Sequence, residues 1–480
     1  MPRLLNRLSQ AALRHRATIR RILPKGLHHL AGTLARGLIR AVEAARSGAA
    51  AGADGLTFPE PLRPPEFFRP HCVAMVNDGL SSGGSERQIV NTLTGLQARA
   101  GFDAQLLCWR LGETPDLSFY AADLERAGIP FRNVCDKPDF FPHSDIAGAK
   151  LWLDEALDWA PQDVRDKILR LTADLVALRP GIVHGWQDET ALVTGFAGLL
   201  AGVPHILVAA RNVNPSGFGY YRPFMGPAYA ALAACPRIVF VNNSAAGARD
   251  YERWAGLPPG RFAVLRNGVE QTGAGAPSPA ERRRARSQLE LPEAAEIIGT
   301  VMRFNQEKRP LLWLQTARKC LARRPQAHFL MAGDGPMRAK LQSEAKRLGI
   351  ADRLHLPGPV RPVETALHAM DLFLLTSRFE GLPNVTLEAG LAGLPVVTTD
   401  AGGARETIRI GETGLVVEAD GLDENQLAEA LGDAVCTVLE DPAWTDRARR
   451  LGPAFVSDTF GMRRMIDETI ALYGTPEQSD

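Results

Sequence analysis

The chain has 480 residues, enough for two or three domains with buried cores. Its 45% hydrophobic, 23% charged and 7% aromatic residues are typical of a globular protein and exclude a disordered chain. The formal net charge is +1, from 55 basic and 54 acidic residues, so the chain as a whole has no charge-driven attraction to nucleic acid. The six cysteines form no Cys-x-x-Cys pair, which argues against a zinc ribbon and indicates a reducing cytosol.

The N-terminal 46 residues concentrate positive charge. They hold ten Lys or Arg and a single acid, Glu43, so the segment carries about +9 and the rest of the chain about −8. Apolar residues recur between the arginines at helical spacing, which predicts two basic amphipathic helices. Such helices suit the headgroup region of an anionic membrane, and a solvated tail is the alternative. Nucleic-acid contact is disfavoured because no aromatic residue interleaves with the basic ones.

The same segment bears on where the protein acts. It lacks the apolar block of a secretory signal, and no run of 18 uncharged apolar residues occurs anywhere in the sequence. The most apolar stretch, 191–203, is short and interrupted by glycines, so it predicts a core helix. We therefore expect a cytoplasmic protein that binds peripherally to the inner face of the cytoplasmic membrane.

From residue 70, short apolar runs alternate with longer helical runs, a pattern typical of parallel sheets with crossover helices. It predicts an α/β protein with two facing Rossmann-like, doubly wound domains and a cleft between them. The predicted strands of the two domains are 72–76, 104–108, 182–184, 205–209, 237–241 and 263–265, then 297–302, 328–332, 354–356, 372–375, 395–398 and 414–417. The predicted domains are a basic extension and linker (1–66), an N-terminal Rossmann-like domain (67–290), a C-terminal Rossmann-like domain (291–455) and a C-terminal helix (456–480).

A glycine-rich loop, residues 77–87 (NDGLSSGGSER), follows the first predicted strand and precedes a helix expected from Gln88. The adjacent Gly83 and Gly84 allow the backbone to approach a ligand, and a helix N-terminus offers free N–H groups to an anion. The spacing matches neither a dinucleotide fingerprint nor a P-loop. A phosphate contact and a plain turn capped by Ser85 therefore both remain open.

Two cations follow the first predicted strand of the second domain. Arg303 lies at the strand end and Lys308 five residues later, near a helix start. Arginine can contact two phosphate oxygens at once and lysine acts as a point charge, so the pair could neutralise a diphosphate without a metal. A solvated basic turn is the alternative.

Two glutamates lie in the segment 378–390 (RFEGLPNVTLEAG). Glu380 is expected in a loop, and a helix should begin near Asn384 and carry Glu388. Eight residues of pure helix would separate the two carboxylates by about 12 Å and about 80° of rotation. Such carboxylates cannot share one metal or proton, but they can contact hydroxyl groups at opposite ends of one folded ligand. A surface-loop Glu380 and a helix-start Glu388 are the alternative.

Together these segments resemble the retaining, GT-B type glycosyltransferases of family four, the group 1 enzymes with a Glu-x7-Glu element. Glu380 and Glu388 match that element, and the other family elements occur in the expected order over residues 70–475. These are the Gly83-Gly84 loop, Asn267-Gly268-Val269, Arg303 with Lys308, Gly333-Asp334-Gly335-Pro336, and Asp400-Ala401-Gly402-Gly403 with Glu406.

The resemblance implies a role for each matching residue of the donor site. Arg303 and Lys308 would hold the donor diphosphate, Glu388 the ribose hydroxyls and Glu380 the transferred sugar. Backbone N–H groups of the loop that follows Glu380 would add contacts, and glycine at the first-domain loop would let that domain close on the diphosphate. The loop residues concerned are Gly381, Leu382 and Asn384, and the glycines are Gly83 and Gly84.

Four further residues are interpreted in the light of the same resemblance. Pro359 and Val360 fall where the family contacts the base through its backbone. His184 matches a strand-end histidine near the donor sugar, although a lone strand-end histidine is also often structural. Arg211 opens a loop that departs from the family pattern on the acceptor side, where it could meet an anionic acceptor or serve in a cap or ion pair.

The predicted function is therefore retaining transfer of a hexose from a nucleotide diphosphate sugar, with UDP expected, to a polysaccharide or lipid-linked glycan. The resemblance implies front-face displacement, in which the protein supplies no general base and no cofactor or metal is needed. A GT-B nucleotide-sugar epimerase, which would change its donor with no acceptor present, and a non-catalytic scaffold of the same fold are the alternatives. The partners expected are the nucleotide sugar, the glycan acceptor and an anionic membrane surface, with no nucleic acid.

Overall fold

The computed structural model describes residues 58–99, 101–135, 143–270 and 275–474. The two basic helices predicted within residues 1–46 lie outside these residues, as does most of the predicted linker. Among the described helices, none combines the length and apolarity that crossing a bilayer requires.

The first domain is built on a parallel sheet with the strand order β3-β2-β1-β4-β5-β6-β7. Its strands are β1 (Arg69–Asn77), β2 (Asp103–Cys108), β3 (Phe131–Asn133), β4 (Pro180–Trp186), β5 (His205–Ala210), β6 (Ile238–Asn242) and β7 (Phe262–Val264). Its helices are α1 (Gly84–Gln97), α2 (Ala121–Arg126), α3 (His143–Ala156), α4 (Gln162–Leu178), α5 (Asp188–Ala201), α6 (Met225–Ala233) and α7 (Ala245–Ala255).

The second domain repeats the arrangement with the strand order β10-β9-β8-β11-β12-β13, again parallel throughout. The strands are β8 (Ile297–Val301), β9 (His328–Ala332), β10 (Leu354–Gly358), β11 (Leu372–Leu375), β12 (Val396–Thr399) and β13 (Gly414–Val417). The helices from this point to the end are α8 (Pro279–Gln288), α9 (Pro310–Arg323), α10 (Arg338–Arg347), α11 (Val363–Ala369), α12 (Asn384–Leu391), α13 (Glu424–Glu440), α14 (Pro442–Phe460) and α15 (Met462–Tyr473).

The predicted two-domain, doubly wound fold is confirmed, and every predicted strand is present. The strands could be predicted from the sequence because helices cover both faces of a parallel sheet, which makes each central strand a continuous apolar run. All seven residues of β4, for example, are buried. The edge strand β3 was missed because it has only three residues, two of them exposed. The stretch 191–203 is a core helix as predicted, since α5 is almost wholly buried.

The last helix returns to the first domain. Its residues Met465, Ile466 and Tyr473 are buried in the same apolar cluster as Ile89 and Leu93 of α1. Just before it, the backbone N–H of Val269 donates to the carbonyl of Phe460 at 2.8 Å. This hydrogen bond thus joins the C-terminal part of the chain to the end of the first domain.

In each domain the strand order reverses between the first and fourth strands, at β1/β4 and at β8/β11. Ligands of doubly wound sheets bind beyond the carboxyl ends of the strands at such a point. The loops there are 78–83, Gln187, 302–309 and 376–383. The topology therefore brings the glycine loop, the cation pair and the Glu380 loop toward one cleft.

Candidate active site in the interdomain cleft

The cation pair and the first glutamate meet in the cleft. Lys308 Nζ lies 2.6 Å from Glu380 Oε1, and the Glu380 side chain is only 7% exposed. Arg303, by contrast, is exposed to solvent. A buried carboxylate in contact with a partly exposed ammonium gives the cleft both signs of charge at one point.

Asn384 joins the two domains through both ends of its amide. Its Nδ2 donates to the carbonyl of Gly84 at 3.0 Å, and its Oδ1 accepts from Asn267 Nδ2 at 2.7 Å. Asn267 Nδ2 also donates to the carbonyl of Leu382 at 3.0 Å. Asn384 is the first residue of α12, as predicted, with Pro383 before it. The free N–H groups of this helix start therefore face the junction between the domains.

Gly381 and Gly84 allow the backbones of the two domains to meet. A Cβ atom added to Gly381 would fall 2.2 Å from the carbonyl oxygen of Arg211, and one added to Gly84 would fall 2.9 Å from Asn384 Nδ2. Contacts under 3.0 Å are essentially never seen for a real Cβ. Glycine at position 381 is thus required by close approach to backbone and not by an unusual φ, whereas the neighbour of Gly84 is the end of a side chain.

Gly83 has a different reason for being glycine. An added Cβ would fall 2.1 Å from a carboxylate oxygen of Glu86, which folds back over the loop. Burial raises the pKa of Glu86, while a hydrogen bond from Gln187 Nε2 at 3.0 Å and the charge of Arg303 lower it. Gln187 itself has a φ of 62°, which is rare for a residue other than glycine. Glu86 was not predicted as a cleft residue, whereas Gln187 lies in a segment that was expected to line the cleft, and a strained residue at a strand end is typical of functional sites.

One detail of this loop corrects the sequence prediction. Helix α1 begins at Gly84 with Gly83 as its N-cap, four residues before the expected start at Gln88, and Ser85 does not cap it. The hydroxyl of Ser85 instead accepts a hydrogen bond from Trp186 Nε1 at 2.9 Å. The helix was predicted from its regularly spaced apolar residues, and its first turn is polar. The predicted start therefore fell one turn too late.

Glu388 is paired with an arginine of the other domain. Arg87, on α1, donates to Glu388 Oε1, and the two line a cavity of about 220 Å³ together with Gly268, Glu364 and further residues. Burial raises the pKa of Glu388, and the positive charge of Arg87 lowers it. Arg87 was not predicted as a site residue. Its partner Glu388 lies 301 positions away in the sequence, and no local pattern around Arg87 indicates that contact. The cavity is smaller than the roughly 300 Å³ at which ligand pockets usually begin, so a nucleotide would need the domains to open.

The base-side positions lie beyond the edge strand β10. Pro359 is exposed and Val360 half-buried, and the next residue, Arg361, places its guanidinium carbon 3.9 Å from the ring centre of Phe119 in the first domain. This stack links the two domains next to Pro359, which remains exposed to solvent.

His184 is not at a strand end, which corrects the sequence prediction, because β4 continues to Trp186. The imidazole is fully buried, its Nδ1 lies 3.2 Å from the hydroxyl of Tyr473, and its Nε2 has no hydrogen-bond partner among the described residues. Burial, followed by the positive charge of Arg211, lowers the pKa of His184 to about 3. The ring is therefore neutral at physiological pH and cannot act as a general acid there.

Two acids next to the cleft are engaged in structural contacts. Asp188 is buried and accepts a hydrogen bond from Tyr251, and burial raises its pKa to about 6. Glu189 forms ion pairs with Lys167 at 2.7 Å and with Arg222 at 2.8 Å. Both carboxylates are thereby held in place by first-domain side chains.

Glu406 fastens the far side of the junction. Its carboxylate accepts hydrogen bonds from the backbone N–H groups of Ala245 and Ala246, at 3.1 and 2.8 Å, at the start of α7. A carboxylate there satisfies free N–H groups and complements the positive helix end. In the sequence Glu406 was only one member of a pattern, and its partner helix in the other domain could not be inferred.

Known proteins resemble this chain in both sequence and fold. Residues 295–441, which span the second sheet, match the family model described as glycosyl transferases group 1. The second domain is therefore a group 1 glycosyltransferase domain. It is 29% identical over 361 residues to the Vi polysaccharide biosynthesis protein VipC/TviE of Salmonella typhi, covering 72% of this chain and 62% of that protein. It is also 26% identical to the alpha-maltose-1-phosphate synthase of Mycolicibacterium smegmatis, covering 61% and 78% of the two chains.

Solved structures of other proteins show the same two-domain architecture. HepE of Anabaena in complex with UDP superposes with a TM-score of 0.66 at 19% identity, covering 84% of this chain and 99% of that one. The same protein in complex with UDP-glucose gives a TM-score of 0.63 at 20% identity, covering 83% and 99%. These likenesses confirm the GT-B fold.

Proposed function

We propose that this protein is a retaining glycosyltransferase that moves a hexose from a UDP-sugar to a polysaccharide or lipid-linked glycan acceptor. One observation carries the proposal, namely the 2.6 Å contact between Lys308 and Glu380 in the cleft. In a nucleotide sugar, one bond joins an anionic phosphate to a hydroxyl-rich ring. A cation and a carboxylate acceptor in direct contact complement the two sides of that bond.

The remaining residues extend this arrangement along the donor. Arg303 joins Lys308 on the diphosphate, the N–H groups of Gly381, Leu382 and Asn384 add contacts, and Glu388 accepts from the ribose hydroxyls. Complexes of HepE with UDP and with UDP-glucose support uridine as the base. Two protein cations balance the diphosphate charge, so we propose that transfer needs no metal.

The chemistry follows from this placement. The acceptor hydroxyl attacks the anomeric carbon from the face that the phosphate leaves, through a state resembling an oxocarbenium ion. The departing phosphate oxygen takes the hydroxyl proton, so no side chain needs to act as the base. Arg303 and Lys308 stabilise the charge that develops on the leaving diphosphate, and domain closure orients the two sugars.

The anomeric outcome tests this function. The full chain, incubated with UDP-glucose, a chelator and acceptor glycans, should release UDP and give a product with the α configuration of the donor, as read by proton NMR. A β product would contradict retention. A change in the donor sugar with no acceptor present would indicate the epimerase instead.

Replacing Arg87 by methionine should make UDP binding more sensitive to acid. Arg87 lowers the pKa of Glu388, so without it burial keeps that pKa higher and the carboxyl is protonated at a higher pH. A protonated carboxyl accepts ribose hydroxyls poorly, so the Kd for UDP should rise up to about tenfold for each pH unit below that pKa. Calorimetric titration across pH measures this, with the exposed Arg110→Met as control, and identical profiles for variant and wild type would refute it.

We also propose that residues 1–46 hold the enzyme at the inner face of the cytoplasmic membrane, which the segment's charge of about +9 supports. Deleting this segment should release the protein from vesicles containing phosphatidylglycerol in a flotation assay, and raised salt should weaken the intact protein's binding. Unchanged flotation of the shortened protein would rule out this role.

A further inference from the structure

Arg211 is half-buried, and its positive charge has no partner of opposite sign among the described residues. Its Nη2 donates to Asn267 Oδ1 at 2.5 Å, but its Nε is buried with no hydrogen-bond partner, and the described residues give it no ion pair. Burial lowers the pKa of Arg211 to about 9, and no carboxylate offsets that effect. An unpaired buried guanidinium is costly unless something else compensates its charge.

Other arginines in the described chain show how unusual this is. Three more have a buried Nε without a hydrogen bond, and each of them pairs with a carboxylate through its terminal nitrogens. The three pairs are Arg165 with Asp154, Arg309 with Glu424, and Arg464 with Glu468. Arg211 alone among the four lacks an acid.

The surroundings of Arg211 are those of a binding site. Its guanidinium carbon lies 4.2 Å from the ring centre of Trp186, so the indole holds it from one face. Two neighbours also carry buried polar atoms without partners, Nε2 of His184 and Oδ1 of Asn243, whose Nδ2 donates to the Arg211 carbonyl. Several unsatisfied polar groups in one place indicate that a ligand completes their hydrogen bonds.

The position of Arg211 relative to the donor sugar indicates which chemical class of ligand it binds. The backbone of Gly381, which the proposed function assigns to that sugar, lies against the Arg211 carbonyl, and Asn267 links Arg211 to Leu382. The diphosphate already has Arg303 and Lys308. The anion that a sugar ring itself can carry is a carboxylate, whose two oxygens match the fork of a guanidinium.

We infer that Arg211, held by Trp186 and Asn267, binds the carboxylate of an acidic sugar in the cleft. The inference rests on the proposed function, since it places that sugar beside the donor loop. The carboxylate could belong to the donor or to the acceptor. Opening of the domains to admit the donor draws the Gly381 loop away from Arg211 and exposes it.

Calorimetric titrations of the full chain distinguish these sources. The donor arm compares UDP-glucuronic acid with UDP-glucose, and the acceptor arm compares methyl glucuronide with methyl glucoside, with and without UDP. We expect one arm to prefer the acidic ligand by on the order of ten- to hundredfold. Arg211→Gln should abolish that preference, Arg211→Lys should retain part of it, and the exposed Arg253→Gln should leave it intact.

UDP itself serves as the internal control. Its affinity should be unchanged in Arg211→Gln, which also shows that the variant is folded. An equal loss of UDP affinity would assign Arg211 to the diphosphate and overturn the inference, as would the absence of any acidic preference in both arms. If UDP fails to bind wild type, the proposed function fails, and the methyl glucuronide titration of the free protein still decides the role of Arg211.

Discussion

Replacing Lys308 and Arg303 together by alanine should lower kcat/KM for sugar transfer by on the order of 10³-fold. Lys308 is in contact with Glu380 at 2.6 Å, and Arg303 is an exposed cation five residues before it. Without them, the negative charge that develops on the leaving diphosphate has no positive partner in the proposed donor site. Initial rates with a UDP-sugar, measured over a range of donor concentrations, give the value.

Controls must separate lost chemistry from lost structure. Lys340→Ala removes an exposed cation of the same domain, on α10, and should keep the wild-type rate. Removing Lys308 leaves the buried Glu380 without its ion pair, so thermal unfolding of the double variant should be recorded alongside. A double variant that stays folded and retains more than about a tenth of wild-type kcat/KM would refute the proposed diphosphate site.

Gly381→Ala should lower kcat/KM by on the order of 10²-fold, because misplacement of bound groups by about 1 Å can have that effect. Its new Cβ would fall 2.2 Å from the backbone oxygen of Arg211 and 2.6 Å from Asn243 Oδ1. A backbone atom cannot step aside as a flexible side chain can, so the domains must stay apart. Each domain should fold normally, since the clash lies between them.

Gly148→Ala is the matched control, because an added Cβ there meets nothing within 4 Å. Small-angle scattering of both variants should show a more open Gly381→Ala protein and an unchanged Gly148→Ala protein. Wild-type kinetics in Gly381→Ala would mean that the closed arrangement of the domains is not the active one.

The sequence predicted the fold well because the information it needed is local. Apolar runs separated by helical runs mark buried parallel strands, and Asn384 was correctly predicted as the helix start after the Gly-Pro loop. The contacts that form the cleft could not be predicted in this way, because they join residues of two different domains. The pairs of Arg87 with Glu388 and of Glu406 with α7 depend on how the domains face each other, and no local pattern encodes that.

His184 is a residue that the sequence placed in the cleft and the structure does not. Its position near a predicted strand end suggested access to the cleft, yet β4 runs two residues further and Tyr473 covers the ring. The last helix, which supplies Tyr473, starts more than 270 residues later in the chain. A short strand can be located from its apolar residues, but its exact end depends on pairing with β5 and cannot be read from the strand alone.

The most direct test of the central claim is a calorimetric titration of UDP into the full chain with a chelator present. We predict binding at one site per chain, weakened at least about tenfold in the Arg303→Ala, Lys308→Ala variant and unchanged in Lys340→Ala. Wild-type protein that is folded and binds none of UDP, GDP and ADP would contradict the claim that this cleft holds a nucleotide sugar.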